Sequence, residues 1–260
     1  MLGLRTMDIF HRVVGEGKPI VILHGVFGSG DNLFTASKLI AAGGYKVYLL
    51  DARNHGLSPH DPVHNYKVMA QDLDTFLSKE GLDKPIIIGH SMGGKTVMEY
   101  SQHYDNYSKL VIIDIAPKAY KPHHSHILNG LKAINLAEVK NRKDAETTFS
   151  EYVSEFGERQ FILKNLYRKD NGGFDWRINI DAISNAIEDI SSEIALTKEI
   201  TAPTLFLKGE LSSYINEEDE KQIKQTFTNC YIVEIKGANH WVHATKPQEF
   251  VATILSFVKR

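Results

Sequence analysis

Short unbroken runs of apolar, largely β-branched residues recur along the chain: Pro19 to Leu23 (PIVIL), Lys46 to Leu50 (KVYLL), Pro85 to Ile88 (PIII) and Leu110 to Ile113 (LVII). Runs of this length without polar alternation predict strands covered on both faces, as in a parallel sheet. Between them, Asn32 to Ala42, Tyr66 to Lys79 and Ser91 to Tyr104 carry apolar residues at helical spacing and read as crossover helices. Asp8 to Val14 is read as an antiparallel edge strand. After Pro117 the rhythm changes, because Ser125 to Ile190 shows helical periodicity with no comparable apolar β run. The β/α alternation resumes with Thr204 to Leu207 (TLFL), a polar helix near Glu217 to Thr226, the strand Tyr231 to Ile235 (YIVEI) and a final helix from Pro247 to Val258. The pattern predicts one mostly parallel sheet with helices on both faces, built from residues 1–116 and 203–260. Residues 117–202 are expected to form a helical cap inserted into that core.

One turn carries a nucleophile signature. Gly89-His90-Ser91-Met92-Gly93 matches G-x-S-x-G between a buried strand and a helix, the context in which that motif projects a serine hydroxyl from a strained turn. The backbone N–H of Met92, at the start of the helix, is then an oxyanion donor. The same stretch continues into Gly94-Lys95-Thr96 and so also satisfies the phosphate-loop pattern G-x-x-x-x-G-K-[ST]. Leu110 to Asp114, a strand ending in an acid, adds to that rival, since such an aspartate can organise magnesium. A glycine-rich turn without chemistry is the third reading.

The partners of the serine separate the readings. A serine hydroxyl needs a base, and in this chain order a late histidine is required. Gly237-Ala238-Asn239-His240-Trp241 supplies one after the last strand, and His240 is preferred to His243, which is expected to pack locally in the following turn. The usual place for the acid is Lys208-Gly209-Glu210-Leu211-Ser212-Ser213, where no aspartate stands. Glu210 is one candidate. Asp114, at the end of the strand following the serine helix, is the preferred one, with Ser212 as an auxiliary hydroxyl near the histidine. His24-Gly25-Val26-Phe27-Gly28 follows the first parallel strand and offers a second oxyanion donor, Val26 first and Phe27 second, with His24 structural.

Other polar clusters are read more plainly. His123-His124-Ser125-His126 lacks an accompanying acid or cysteine cluster and is not read as a metal site. Asp51 and Asn54 to Ser58 are read as a turn tying neighbouring loops. Trp176 to Asn179 is read as packing.

Composition narrows the class without changing the fold. The 260 residues are 42% hydrophobic and 24% charged, and 30 basic against 32 acidic residues leave a formal net charge of -2. That balance provides no general attraction to nucleic acid or anionic lipid. The single cysteine, Cys230, excludes an internal disulfide and a thiolate metal cluster. No apolar stretch reaches spanning length, and the N-terminal residues lack the apolar run of an export signal, so a cytoplasmic protein without nucleic-acid or membrane partners is expected. Either a monomer or a small homo-oligomer fits.

The segments His24 to Ser29, Asp51 to Pro59, Gly89 to Lys95, Ile113 to Pro117 and Gly237 to His243, taken in order, resemble the bacterial YbfF-type esterases of the α/β-hydrolase superfamily. The resemblance spans nearly the whole chain and is weakest between Pro117 and Ala202. It implies an α/β-hydrolase fold and a Ser91-His240-Asp114 triad supported by Ser212. It also implies carboxylic-ester and acyl-CoA thioester substrates, and no metal or organic cofactor. Other readings within the fold are a lyase or C–C hydrolase. Outside it stand a ligand-binding sensor and the nucleotide-binding phosphate-loop protein.

Overall fold

The computed structural model describes residues 7–122, 124–170 and 172–260. Strands and helices follow in turn: β1 (His11–Val14), β2 (Lys18–Leu23), α1 (Phe34–Ala41), β3 (Tyr45–Leu50), α2 (Tyr66–Lys79), β4 (Ile86–His90), α3 (Met92–His103) and β5 (Lys109–Ile113). A second block holds α4 (Ser125–Ala133), α5 (Arg142–Ser150), α6 (Phe156–Leu163), β6 (Leu166–Arg168), β7 (Phe174–Trp176), α7 (Ile180–Asn185) and α8 (Ile187–Ser191). The chain then returns through β8 (Thr204–Gly209), α9 (Glu217–Thr226), β9 (Cys230–Ile235), α10 (Val242–Thr245) and α11 (Pro247–Val258). This is the α/β-hydrolase fold.

The main sheet runs β1-β3-β2-β4-β5-β8-β9, with β1 antiparallel to β3 and the other pairs parallel. Its strands read as continuous apolar runs because alternate residues meet different layers. Val21, Leu23, Ile87, Leu110 and Ile112 pack with α2 and α3, whereas Ile20, Ile22, Ile88, Val111 and Ile113 pack with α1 and α11. The block between β5 and β8 has no separate core. Ile127, Leu131, Phe149 and Ile162 join the same apolar cluster as α2 and α3.

That block also departs from the sequence expectation. Leu166 to Arg168 pairs antiparallel with Phe174 to Trp176, a two-stranded ribbon where only helical periodicity was read. Three-residue strands are too short for a period to register, although Asp170-Asn171-Gly172-Gly173 is a turn signal of the kind that joins hairpins. Trp176 accordingly ends a strand. Asn179 caps α7 through Ala182 N–H and donates from its own N–H to the Asn54 carbonyl at 2.9 Å, tying this block to the sheet.

The parallel strands bring their carboxyl ends to one edge. Leu23 pairs with Gly89, His90 with Ile113, and Ile113 with Leu207. The chain order reverses between β2 and β4, and loops splay apart at such a switch point, which opens a crevice for ligand. The segments after β2, β4, β5, β8 and β9 all meet there.

Candidate active site

Ser91 directly follows β4 and precedes α3, with φ 53° and ψ -116°. A non-glycine residue in the left-handed region costs about 1–3 kcal/mol unless its surroundings hold it there. Two ladder-like bonds do so: Ser91 N–H donates to Ile113 O at 3.0 Å, and Gly93 N–H to His24 O at 3.1 Å. The flanking glycines are sterically required. A Cβ on Gly89 would lie 2.3 Å from Gly93 O, and one on Gly93 would lie 2.5 Å from Leu23 O. The turn thus presses against the loop after β2, and the Met92 N–H has no backbone partner among the described residues.

The candidate acid sits one strand away. Asp114 follows β5, also at positive φ (50°), and is fully buried. Three donors converge on its carboxylate: Gly209 N–H at 3.0 Å on one oxygen, and Ser212 Oγ at 2.5 Å and His240 Nδ1 at 2.7 Å on the other. Ser212 therefore reaches the histidine's carboxylate partner rather than the imidazole itself. Glu210 goes elsewhere, accepting from Gly237 N–H at 2.7 Å and so pinning the loop that leads to His240. The His240 ring is stacked on Tyr214, with centroids 4.0 Å apart and planes within 17°, and its carbonyl accepts from His90 Nε2 at 2.9 Å. Tyr214 and His90 were not singled out from the sequence, since neither has a local signal for stacking or support of a residue so distant in the chain.

Ser91 and His240 open onto one cavity of about 190 Å³, shared with Gly25, Val26, Phe161, Ile162, Tyr214 and Trp241 among others. The Ser91 hydroxyl makes no hydrogen bond among the described residues. Over the cavity lies the loop after β2. Phe27, at φ 60°, directs its N–H to His55 Nε2 at 3.3 Å, so the second-choice oxyanion donor is already engaged by a neutral imidazole. Val26 N–H has no such partner among the described residues. His24 is structural: Nδ1 bonds Gly25 O at 2.7 Å and Nε2 accepts from Ala52 N–H at 3.0 Å. Asn165, between α6 and β6, donates to the Phe27 carbonyl at 2.7 Å and grips this loop from the other side.

The phosphate-loop reading fails on side-chain direction. Lys95 is buried inside α3 and donates to the carbonyls of Lys118, at 2.8 Å, and Ser192. Burial pulls its pKa down to about 8, although the field of Glu193 opposes the shift. Thr96 bonds the Met92 carbonyl and Asp114 is held by His240, so no lysine, threonine and acid converge on the turn. The histidine tract also divides. His124 lines the cavity edge-on to Phe27, His126 is exposed, and His123 lies outside the described residues. Among the described residues no group of histidine, cysteine or acid side chains is arranged to hold a metal.

Burial pulls the pKa of His24, His55, His64, His90 and His243 below the ordinary imidazole value of 6.5, reaching about 3 for His64 and about 4 for His243. His243 packs against His90 and Phe250 in the turn after His240. Because the folded values are depressed, the unfolded chain takes up these protons first as pH falls. The stability these groups contribute is complete above about pH 6.5 and is lost toward the folded values, at about 1.4 kcal/mol per pH unit for each histidine in that window. Urea midpoints are expected to fall steeply between pH 7 and 5, and a flat profile across that range would contradict the burial of neutral imidazoles.

A sheet of this order, with a serine on a strained strand-to-helix turn at its carboxyl edge, defines the α/β-hydrolase class of proteins. Known proteins agree. A family model described as alpha/beta hydrolase fold matches residues 18–164. The zebrafish (Danio rerio) protein named sn-1-specific diacylglycerol lipase ABHD11 is 38% identical, the match covering 98% of this chain and 82% of that protein. Esterase YbfF of Escherichia coli (strain K12) is 36% identical, with 94% of each chain covered. A solved marine microorganism esterase superposes with a TM-score of 0.93 at 43% identity, covering 97% of this chain and all of that one. The chain belongs to the α/β-hydrolase family, among its esterases.

Proposed function

We propose that the chain hydrolyses small carboxylic esters and acyl-CoA thioesters through an acyl-enzyme formed on Ser91. The observation that carries this reading is the 2.7 Å contact of His240 Nδ1 with Asp114, in a ring that opens onto the same cavity as Ser91. The Asp114 side chain accepts from His240 Nδ1 and so fixes the tautomer with a proton there, leaving Nε2 to take the Ser91 proton during attack on the acyl carbonyl. The N–H groups of Met92 and Val26 receive the oxyanion. His240 returns its proton to the departing alcohol or thiol, then deprotonates a water that attacks the acyl-enzyme. The acid is released and Ser91 regains its proton. Catalytic hydrogen bonds are commonly loose before substrate binds, which suits the unbonded Ser91 hydroxyl. No step calls for a metal or organic cofactor.

In this reading residues 117–202 form a helical cap over a core of 1–116 and 203–260, supported by the contributions of Phe161 and Ile162 to the cavity wall. A cavity of about 190 Å³ is small for a ligand site, which favours short acyl chains. The net charge of -2 supports action on small molecules rather than nucleic acid or anionic membrane, and the single cysteine suits a cytoplasmic location. Among the described residues no helix is long and apolar enough to cross a membrane.

The test is turnover of an ester series of rising acyl length, and of matching acyl-CoA thioesters, beside Ser91→Ala. The reading expects both oxygen esters and thioesters to be cleaved, with kcat/KM falling once the acyl chain exceeds the cavity. Equal activity in Ser91→Ala would overturn it. Asn165→Ala offers a second check, because a loosened Phe27 carbonyl misplaces the neighbouring Val26 N–H. It is expected to lower kcat by about tenfold while moving KM little, a small part of what loss of a whole donor costs. An effect on KM alone would remove Asn165 from oxyanion-loop positioning.

A further inference from the structure

Among the described residues Glu158 is the one acidic side chain on the wall of the Ser91 cavity, where its neighbours include Phe161, Ile162 and Trp241. It lies in the first turn of α6, where Glu155 caps the helix by accepting the Glu158 backbone N–H at 2.8 Å. The Glu158 carboxylate has no hydrogen-bond or ion-pair partner among the described residues. The adjacent Arg159 makes no ion pair with it, its guanidinium donating instead to the carbonyls of Val153 and Ser154 at 2.9 and 2.7 Å. Its field reaches the catalytic end of the cavity. The Tyr214 hydroxyl is pushed up to about 12 by burial first, then by Asp114 and by Glu158, and Tyr214 is the ring stacked on His240.

An unpaired negative charge in a small, largely apolar cavity acts on whatever enters. Two like charges about 6 Å apart at an effective dielectric of about 20 repel strongly enough to change affinity tenfold or more, and partial exposure reduces this. The reaction proposed above turns a neutral ester into a carboxylate inside that cavity, so the field distinguishes substrate from product. We propose that Glu158 is a specificity-determining residue that makes the cavity reject anions, disfavouring esters that carry a carboxylate and driving out the acid product. This rests on the Ser91 reading of the cavity. The other titratable side chains on the wall among the described residues are His90, His124, His240 and Tyr214, none of them a carboxylate.

The test uses butyrate and butan-1-ol as matched probes, one charged and one neutral, competing with a chromogenic butyrate ester at pH 8 and low ionic strength. In Glu158→Gln the affinity for butyrate relative to butan-1-ol is expected to rise about five- to tenfold, and further in Glu158→Lys. The gap between wild type and variants should shrink as salt is raised. Using the ratio of two probes cancels any general change in cavity shape. Labelling of Ser91 by an organophosphonate in each variant separates the two claims. A labelled, active Glu158→Gln enzyme whose ratio is unchanged would overturn the role of Glu158 alone, whereas wild-type protein without Ser91 labelling would overturn the reading beneath it.

Discussion

Replacing Ser91 by alanine is expected to lower kcat for a chromogenic ester by about four to six orders of magnitude and to abolish any pre-steady-state burst. The size follows from the proposed chemistry: without Oγ no acyl-enzyme would form, leaving water to attack a carbonyl polarised only by the proposed donors Met92 and Val26. The fold should survive. Alanine keeps the Cβ and the same left-handed backbone demand at φ 53°, and the bonds from Ser91 N–H to Ile113 and from Gly93 N–H to His24 involve main chain only. Stopped-flow kinetics beside a thermal melt checks both parts. A variant that melts like wild type yet keeps its burst would remove Ser91 from the nucleophile's place.

Asp114→Asn is expected to cost about four orders of magnitude in kcat. The carboxylate accepts from Gly209 N–H, Ser212 Oγ and His240 Nδ1, and an amide offers one acceptor oxygen and an unwanted donor to those three groups. The imidazole is then drawn into the wrong tautomer, with its proton on the nitrogen that should take one from Ser91. Glu210→Gln is the matched control, because an amide oxygen still accepts from Gly237 N–H and only about a twofold change is expected. Reversal of the two results would transfer the acid's role to Glu210. Both variants should be compared by kcat on one ester across pH 6 to 9.

How much of this was legible beforehand depends on how local each determinant is. The runs PIVIL, VYLL, PIII and LVII are apolar throughout because Ile20 and Val21, or Ile87 and Ile88, face opposite helical layers, so the buried parallel sheet announces itself in single residues. Helix α2 begins and ends where its pattern does, with the Asn65 side chain capping its start. The ribbon at Leu166 to Trp176 was missed because its strands are shorter than any period.

Within the site, Ser91 and His240 could be named because each sits on a glycine-containing turn beside a strand. Asp114 could be preferred because the later loop has no aspartate. The lysine of the phosphate-loop pattern shows the opposite limit. Residue spacing fits either reading, and only the direction of the Lys95 side chain, toward the carbonyls of Lys118 and Ser192, separates them. Tyr214, Asn165 and Glu158 had no signal at all, since their contacts with His240, Phe27 and the cavity exist only once loops and helices far apart in the chain have docked.

The most direct measurement of the central claim is peptide mass spectrometry after reaction with a p-nitrophenyl phosphonate, with residual esterase activity followed in the same samples. The account predicts one phosphonyl group per chain, carried by Ser91 alone, with activity lost in step with its incorporation and no incorporation in Ser91→Ala. Full incorporation at another residue, or activity that persists once Ser91 is fully modified, would contradict it.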